Sequence, residues 1–296
     1  MMSATGAHRM MRAGAQASFR RRRLTNSVMT LIMGGAAVLA VVPLVFIVYH
    51  VLTHGIGALS LDLLIEDPNA AGRPGGGVRN AFTGSAIMIG LAMLIALPIA
   101  IGCGIFLAEC GQNRLGTVLR FLVDVLAGMP SITIGLFMYA LIVLPNKRFM
   151  AIAGALALAV ILLPIVARIT EEMLLLVPRS LREAAYALGA PRWRTVLTIV
   201  LPTAIPGIVT GVMLALSRIA GEAAPLLFTS LGNQFTSTDL LRPIDALPSR
   251  IYTYATGPFD YWHEQAWAMS LLLVLFILAV SLAVRALAGS KVTVRQ

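Results

Sequence analysis

Apolar residues in this chain gather into long continuous runs, separated by short polar stretches. Six runs, approximately 28–49, 80–108, 121–144, 149–169, 203–228 and 265–286, are each long enough to cross a bilayer as a helix, which takes about 20 residues. The pattern predicts an all-α, polytopic membrane protein with six transmembrane helices filling a domain over 28–288. A basic tail over 1–27 precedes it and a short tail over 289–296 follows. Pro98 and Pro130 fall inside the second and third runs, where neighbouring helices can re-satisfy a broken backbone. The polar stretch "DPNAAGRPGGG" at 67–77 predicts a flexible loop, and "TDLLRPIDALPSRIY" at 238–252 a short surface helix. There is no internal repeat and no soluble domain.

Composition agrees. Of 296 residues, 58% are hydrophobic and only 12% charged, half the charged fraction of a typical soluble domain. The net charge of +10 has no interleaved aromatic patch beside it, so nucleic acid is not the expected partner. The distribution of Lys and Arg explains it better. With the N-terminus in the cytoplasm, the inner segments and run ends hold 16 basic residues and the outer ones 6, and Arg218, well inside the fifth run, belongs to neither set. The positive-inside rule then puts both termini in the cytoplasm. "FRRRRL" at 19–24 precedes a run too long for a typical leader, which predicts a retained anchor.

The isolated polar residues read plainly. Cys103 and Cys110 are expected to be small packing residues, and His50 with His54 an interfacial pair lacking a third metal ligand. Asp124 is expected to pair with Arg120 or to face the lumen, and Arg168 to snorkel to the headgroups. Gly207 and Gly211 form a small-xxx-small pair for close helix packing. No pattern calls for a cofactor, a metal or a catalytic nucleophile.

The longest inner connection, 171–202, is not a generic loop. Ser180 and Glu183 are spaced as a capping box, so a short helix is expected from about Leu181. Its Leu181, Ala184, Ala185 and Leu188 should share a face. Gly189 can end it in the left-handed conformation, and Pro191 suits the first turn of a second helix. The order Glu-Ala-Ala, three residues, Gly, nine residues, Ile-x-Leu-Pro is met by Glu183, Ala184, Ala185, Gly189, Ile199, Leu201 and Pro202. This resembles the EAA loop of ATP-binding-cassette importer permeases. The resemblance implies the type I (MetI-like) permease architecture and a loop helix that docks on a separate ATPase. The chain has no phosphate loop of its own for ATP.

Arg218 and Glu222 are four residues apart inside the fifth run and share a helix face. On physical grounds two readings stand: a structural ion pair, or an anion path, since the arginine fork suits a phosphate or carboxylate. "SRIAGEAAPLLFTSLGNQF" at 217–235, "GMPSITIGLF" at 128–137 and the stretch 80–109 resemble the phosphate-transport permeases of the PstA type, over roughly 75–288. That resemblance implies that Arg218 and Glu222 line a phosphate path across a bacterial cytoplasmic membrane. It also implies a second permease of the PstC type, two PstB-type ATPase subunits and an extracytoplasmic phosphate-binding protein. The alternatives are a permease for sulfate or molybdate, a proton-coupled carrier and an intramembrane enzyme.

Overall fold

The apolar runs are helices in a computed structural model that describes the backbone of residues 4–289 and the side chains of 22–23 and 25–284. In chain order the elements are α1 (Ala4–Ala58), α2 (Leu61–Ile65), α3 (Arg79–Cys110), α4 (Arg114–Gly128), α5 (Ser131–Met138), α6 (Leu144–Asn146), α7 (Ala151–Leu175), α8 (Arg179–Ala187), α9 (Arg192–Thr195), α10 (Leu201–Ala220), α11 (Ala224–Thr229), α12 (Leu247–Ala255) and α13 (Asp260–Gly289). π-helical turns at Tyr139–Val143 and Val196–Val200 join α5 to α6 and α9 to α10. No strand occurs among the described residues.

The chain divides into two units, Met1–Thr53 and His54–Gln296. The first is helical from Ala4 and retains Pro43 within the helix. Its basic tail lies mostly outside the residues whose side chains are described.

The second unit is built around α7. On α3 every fourth residue is buried: Gly84, Met88, Ala92, Ala96, Ala100 and Gly104. Lipid offers no hydrophobic drive between helices, so small side chains that let backbones approach supply the attraction. A Cβ on Gly104 would lie 2.6 Å from the Cβ of Thr170 on α7. On another flank of α7, a Cβ on Gly207 or Gly211 of α10 would collide with Met173 or Ile169, so that glycine pair does serve close packing.

The third run departs from expectation. Instead of one span it forms α4 and then α5–α6, bent by 102°. Met129 is extended and Pro130 caps α5. The residue before a proline is pushed out of helical geometry, and the proline itself offers no N–H. Five helices are therefore long and apolar enough to cross a membrane, or six if the bent pair counts as one. The fifth run also shifts. Its helix starts at Arg192 and ends at Ala220, because Arg192–Thr195 joins it through the π turn that precedes Pro202, and because Gly221 ends it.

Several polar residues have partners or exposure that the sequence reading did not specify. Asp124 is exposed and not paired with Arg120. Arg120 instead meets Glu171 of α7 at 2.7 Å and donates to the Gly111 and Leu107 carbonyls at 2.8 and 2.9 Å. Arg168 also pairs with Glu171, at 3.3 Å, and with Glu172, at 3.4 Å. Cys110 is exposed and does not pack, whereas Cys103 is half-buried. The stretch 238–246 is not helical; the short helix expected there starts only at Leu247, as α12, with Leu247, Pro248, Ser249 and Tyr254 buried and Tyr252, Thr253 and Ala255 exposed.

The loop 67–77 is pinned at several points. Gly72 N–H donates to the Tyr261 hydroxyl at 3.0 Å, and Gln265 donates to the Gly76 carbonyl at 3.0 Å. Asp67 pairs with Arg79 at 3.2 Å and accepts from the Thr236 backbone at 3.1 Å. Burial acts to raise the Asp67 carboxyl, but hydrogen bonds from Thr236 and Arg79 outweigh it and hold the group below its ordinary value. Deeper in, Asp245 is buried against Arg250 and Asn80. Burial raises its carboxyl, against the pull of Arg250.

Candidate functional site

Two places carry the chemistry singled out in the sequence. The first is α8. The helix begins at Arg179 behind Pro178, and no side chain caps it. Ser180 and Glu183 therefore do not form the expected capping box: Ser180 already lies within the first turn, where a capping side chain cannot reach the orphan N–H groups. The far end follows the expected form. Gly189 has φ 79°, Gly189 N–H bonds to the Tyr186 carbonyl at 2.9 Å and Ala190 N–H to the Ala185 carbonyl at 3.1 Å. That bond pair is the Schellman ending, and nothing lies within 4 Å of a Cβ placed on Gly189.

The faces of α8 also differ in part from the sequence reading. Ala185 is buried against its own chain, whereas Glu183 and Ala184 are exposed. Leu188 is 89% exposed, and Leu181, Tyr186 and Trp193 are exposed as well. A short helix thus presents apolar side chains and one carboxylate outward. Inward, Arg182 pairs with Glu109 in the last turn of α3 and donates to the Leu174 carbonyl of α7 at 2.8 Å. Sequence reasoning missed both Arg182 and Glu109. The available signal was a lone acid closing an apolar run opposite a basic loop.

The second place is the end of α10. Arg218 Nε stands 3.8 Å from Glu222 Oε1, too far for a hydrogen bond. Its side chain is 52% exposed and that of Glu222 19%. Arg218 lies in the last turn of α10, where the helix dipole favours a cation. It continues an exposed stripe of Thr203, Pro206, Thr210 and Leu214. Gly221 N–H bonds back to the Arg218 carbonyl at 3.2 Å, and the chain then turns into α11. Pro225 of α11 presses on the bent helix: a Cβ on Gly135 of α5 would lie 2.6 Å from Pro225 Cα. The proline-broken third run and the Arg218–Glu222 segment are thereby held close together. The Arg218 guanidinium is a planar fork of donors that makes no hydrogen bond to its ion-pair partner Glu222. This arrangement can hold an oxyanion against a surface that one chain leaves open.

Residues 100–291 match the family described as binding-protein-dependent transport system inner membrane component. The phosphate transport system permease protein PstA of Yersinia pestis is 45% identical over 91% of this chain and 92% of its own. The protein of the same name from Pasteurella multocida is 46% identical over 90% and 95%. Among solved structures, the MetNI methionine ABC transporter in inward-facing conformations aligns with a TM-score of 0.58 at 20% identity, covering 72% of this chain and 94% of that one. A bacterial alginate ABC transporter aligns at 0.59 and 12%, covering 88% and 92%. These two establish the shared permease fold. From its near full-length relatives and the matched region, this chain belongs to the family of binding-protein-dependent transport system inner membrane components.

Proposed function

We propose that the chain is the transmembrane permease subunit of an ATP-driven importer that moves inorganic phosphate across the bacterial cytoplasmic membrane. The observation that carries this reading is identity of 42–46% over at least nine-tenths of the chain to five relatives, each a phosphate transport permease. Arg218 supplies the matching chemistry. Its guanidinium draws the anion and binds two phosphate oxygens side by side, and Glu222 balances the charge when the path is empty. A path lined on one side needs a second permease, of the PstC type, to close it.

Energy enters through the loop over 171–202. Glu183, Ala184 and Gly189 form the outward surface of α8 and its turn, with Ala185 seating the helix on its own chain. A pair of PstB-type ATPase subunits docks there from the cytoplasm, and hydrolysis on those subunits moves the loop. Both termini face the cytoplasm, as the excess of inner basic residues favours. An extracytoplasmic phosphate-binding protein delivers substrate to the opposite face.

The test is uptake of labelled phosphate into cells that lack their own phosphate permeases and express this chain with its partner subunits. Uptake should resist an excess of unlabelled sulfate or molybdate. Competition by sulfate or molybdate equal to that by phosphate would move the substrate to another oxyanion.

A further inference from the structure

The helix α8 is tied to the membrane helices by very few polar links. Among the described residues one ion pair joins it to another element: Arg182 with Glu109. Both side chains are mostly buried, at 17% and 16% exposure. The same guanidinium donates to the Leu174 carbonyl at 2.8 Å. Arg182 therefore holds the last turns of two helices at once, α3 through Glu109 and α7 through Leu174. It lies on the same side of α8 as the buried Ala185, away from the exposed Ala184 and Leu188.

Chain connectivity makes this link matter. α8 follows α7 directly and leads through Gly189 to the helix that starts at Arg192, so movement of α8 reaches α7 and α10 along the backbone. It has no direct backbone link to α3. α3 is packed on α7 through the small-residue row ending at Gly104, and its last carbonyls are held by Arg120, which also grips Glu171 of α7. A pull on Glu109 is therefore a pull on a stiff α3–α7 pair.

We propose that Arg182 and Glu109 form a strut that passes displacement of the loop helix to α3, so that α3 and α7 move together when the loop is pushed. Arg182 is a positioning residue, acting through Glu109 and not on the substrate. The proposal rests on the reading of 171–202 as the ATPase-coupling loop. A planar fork bonded to a carboxylate and a carbonyl resists both sliding and rotation, which a single point charge does not. The strut works at the side of α8 opposite its exposed face, so breaking it leaves that face intact.

The test uses the complete reconstituted complex in proteoliposomes and reads labelled phosphate carried per ADP released. Arg182→Gln and Glu109→Gln should each retain the ATPase subunits and their hydrolysis but lower that ratio at least tenfold. The double variant should be no worse than either single one, the signature of one shared interaction. Arg182→Lys should recover part of the ratio. A role confined to stability would lower the amount of complex and leave the ratio unchanged, and an unchanged ratio overturns the strut. Losses that multiply in the double variant overturn it too. Gly189→Val tests the loop reading separately: retention of the ATPase subunits with full coupling in that variant removes the coupling loop itself. Loss of coupling there, beside an unchanged ratio in Arg182→Gln, removes the strut alone.

Discussion

Replacing Arg218 by Gln separates the two roles that this residue can have. If Arg218 only locks helices, its loss is a loss of stability. The distance of 3.8 Å to Glu222 corresponds to about 4 kcal/mol in a medium of effective dielectric about 20, and about 1 kcal/mol in water. The two side chains make no hydrogen bond to each other, and a pair that faces a water-filled path is screened, so the lower figure applies, and solvated pairs contribute about 0–1 kcal/mol. The substitution should therefore lower the melting temperature of the assembled complex by no more than about 4 °C. Its effect on transport is set by different bonds. Two charge-assisted hydrogen bonds to a phosphate contribute about 1.5–3 kcal/mol each, and a factor of ten corresponds to about 1.4 kcal/mol. Losing both should cut uptake about a hundredfold or more. Arg218→Lys keeps the charge but not the fork, and should fall between Arg218→Gln and the unaltered protein. Glu222→Gln leaves the attraction in place and should transport better than Arg218→Gln. The assay is initial uptake of labelled phosphate normalised to assembled complex, with thermal melting in parallel. Unimpaired uptake by Arg218→Gln, or a loss wholly explained by missing complex, would refute the anion-path role.

Other sites give independent outcomes. Gly189→Val places a β-branched residue at φ 79°; it should abolish co-purification of the ATPase subunits or their coupling while the chain still inserts, and Gly189→Ala, still strained at that φ but without the β-branch, should be milder. Gly211→Leu drives a side chain into Ile169 and should cost about 1–3 kcal/mol or more, read as reduced yield and melting temperature of the complex. Asp67 is held below its ordinary value of 3.8, so its clasp on Arg79 and Thr236 contributes fully above about 3.8 and is lost as pH falls through the lower folded value. The difference in melting temperature between the unaltered protein and Asp67→Asn should stay constant from about pH 5 to 8 and shrink below about pH 4. Reporter fusions at Gln296 and near Gln234 should give opposite signals for cytoplasmic exposure, and matching signals would contradict the assigned orientation.

The helices were legible because lipid imposes a simple rule: every backbone group is satisfied within the helix, and apolar runs show where. What happens at the ends of the runs was not legible. The bend at Pro130 depends on whether neighbours sustain a straight helix across a missing N–H. Neither Pro98 nor Pro164 breaks its helix, so proline alone does not decide. Likewise the capping box needs Ser180 as the N-cap, and the N-cap is Pro178, two residues earlier. Arg218 and Glu222 stood out because charge inside an apolar run is rare. Arg120, Glu171, Arg182 and Glu109 did not, because charges near run ends are common and their partners lie 51 and 73 residues away. The fourfold spacing from Gly84 to Gly104 was present in the sequence and marks the α3–α7 seam in hindsight.

The most direct test of the account is ATP-driven flux. The complete complex, reconstituted into vesicles with the binding protein supplied on the outer face and ATP on the cytoplasmic face, should carry labelled phosphate toward the ATP side. Omission of ATP or of the binding protein should stop that flux. Phosphate movement that continues at full rate without ATP, or that follows an imposed proton gradient instead, would contradict the account.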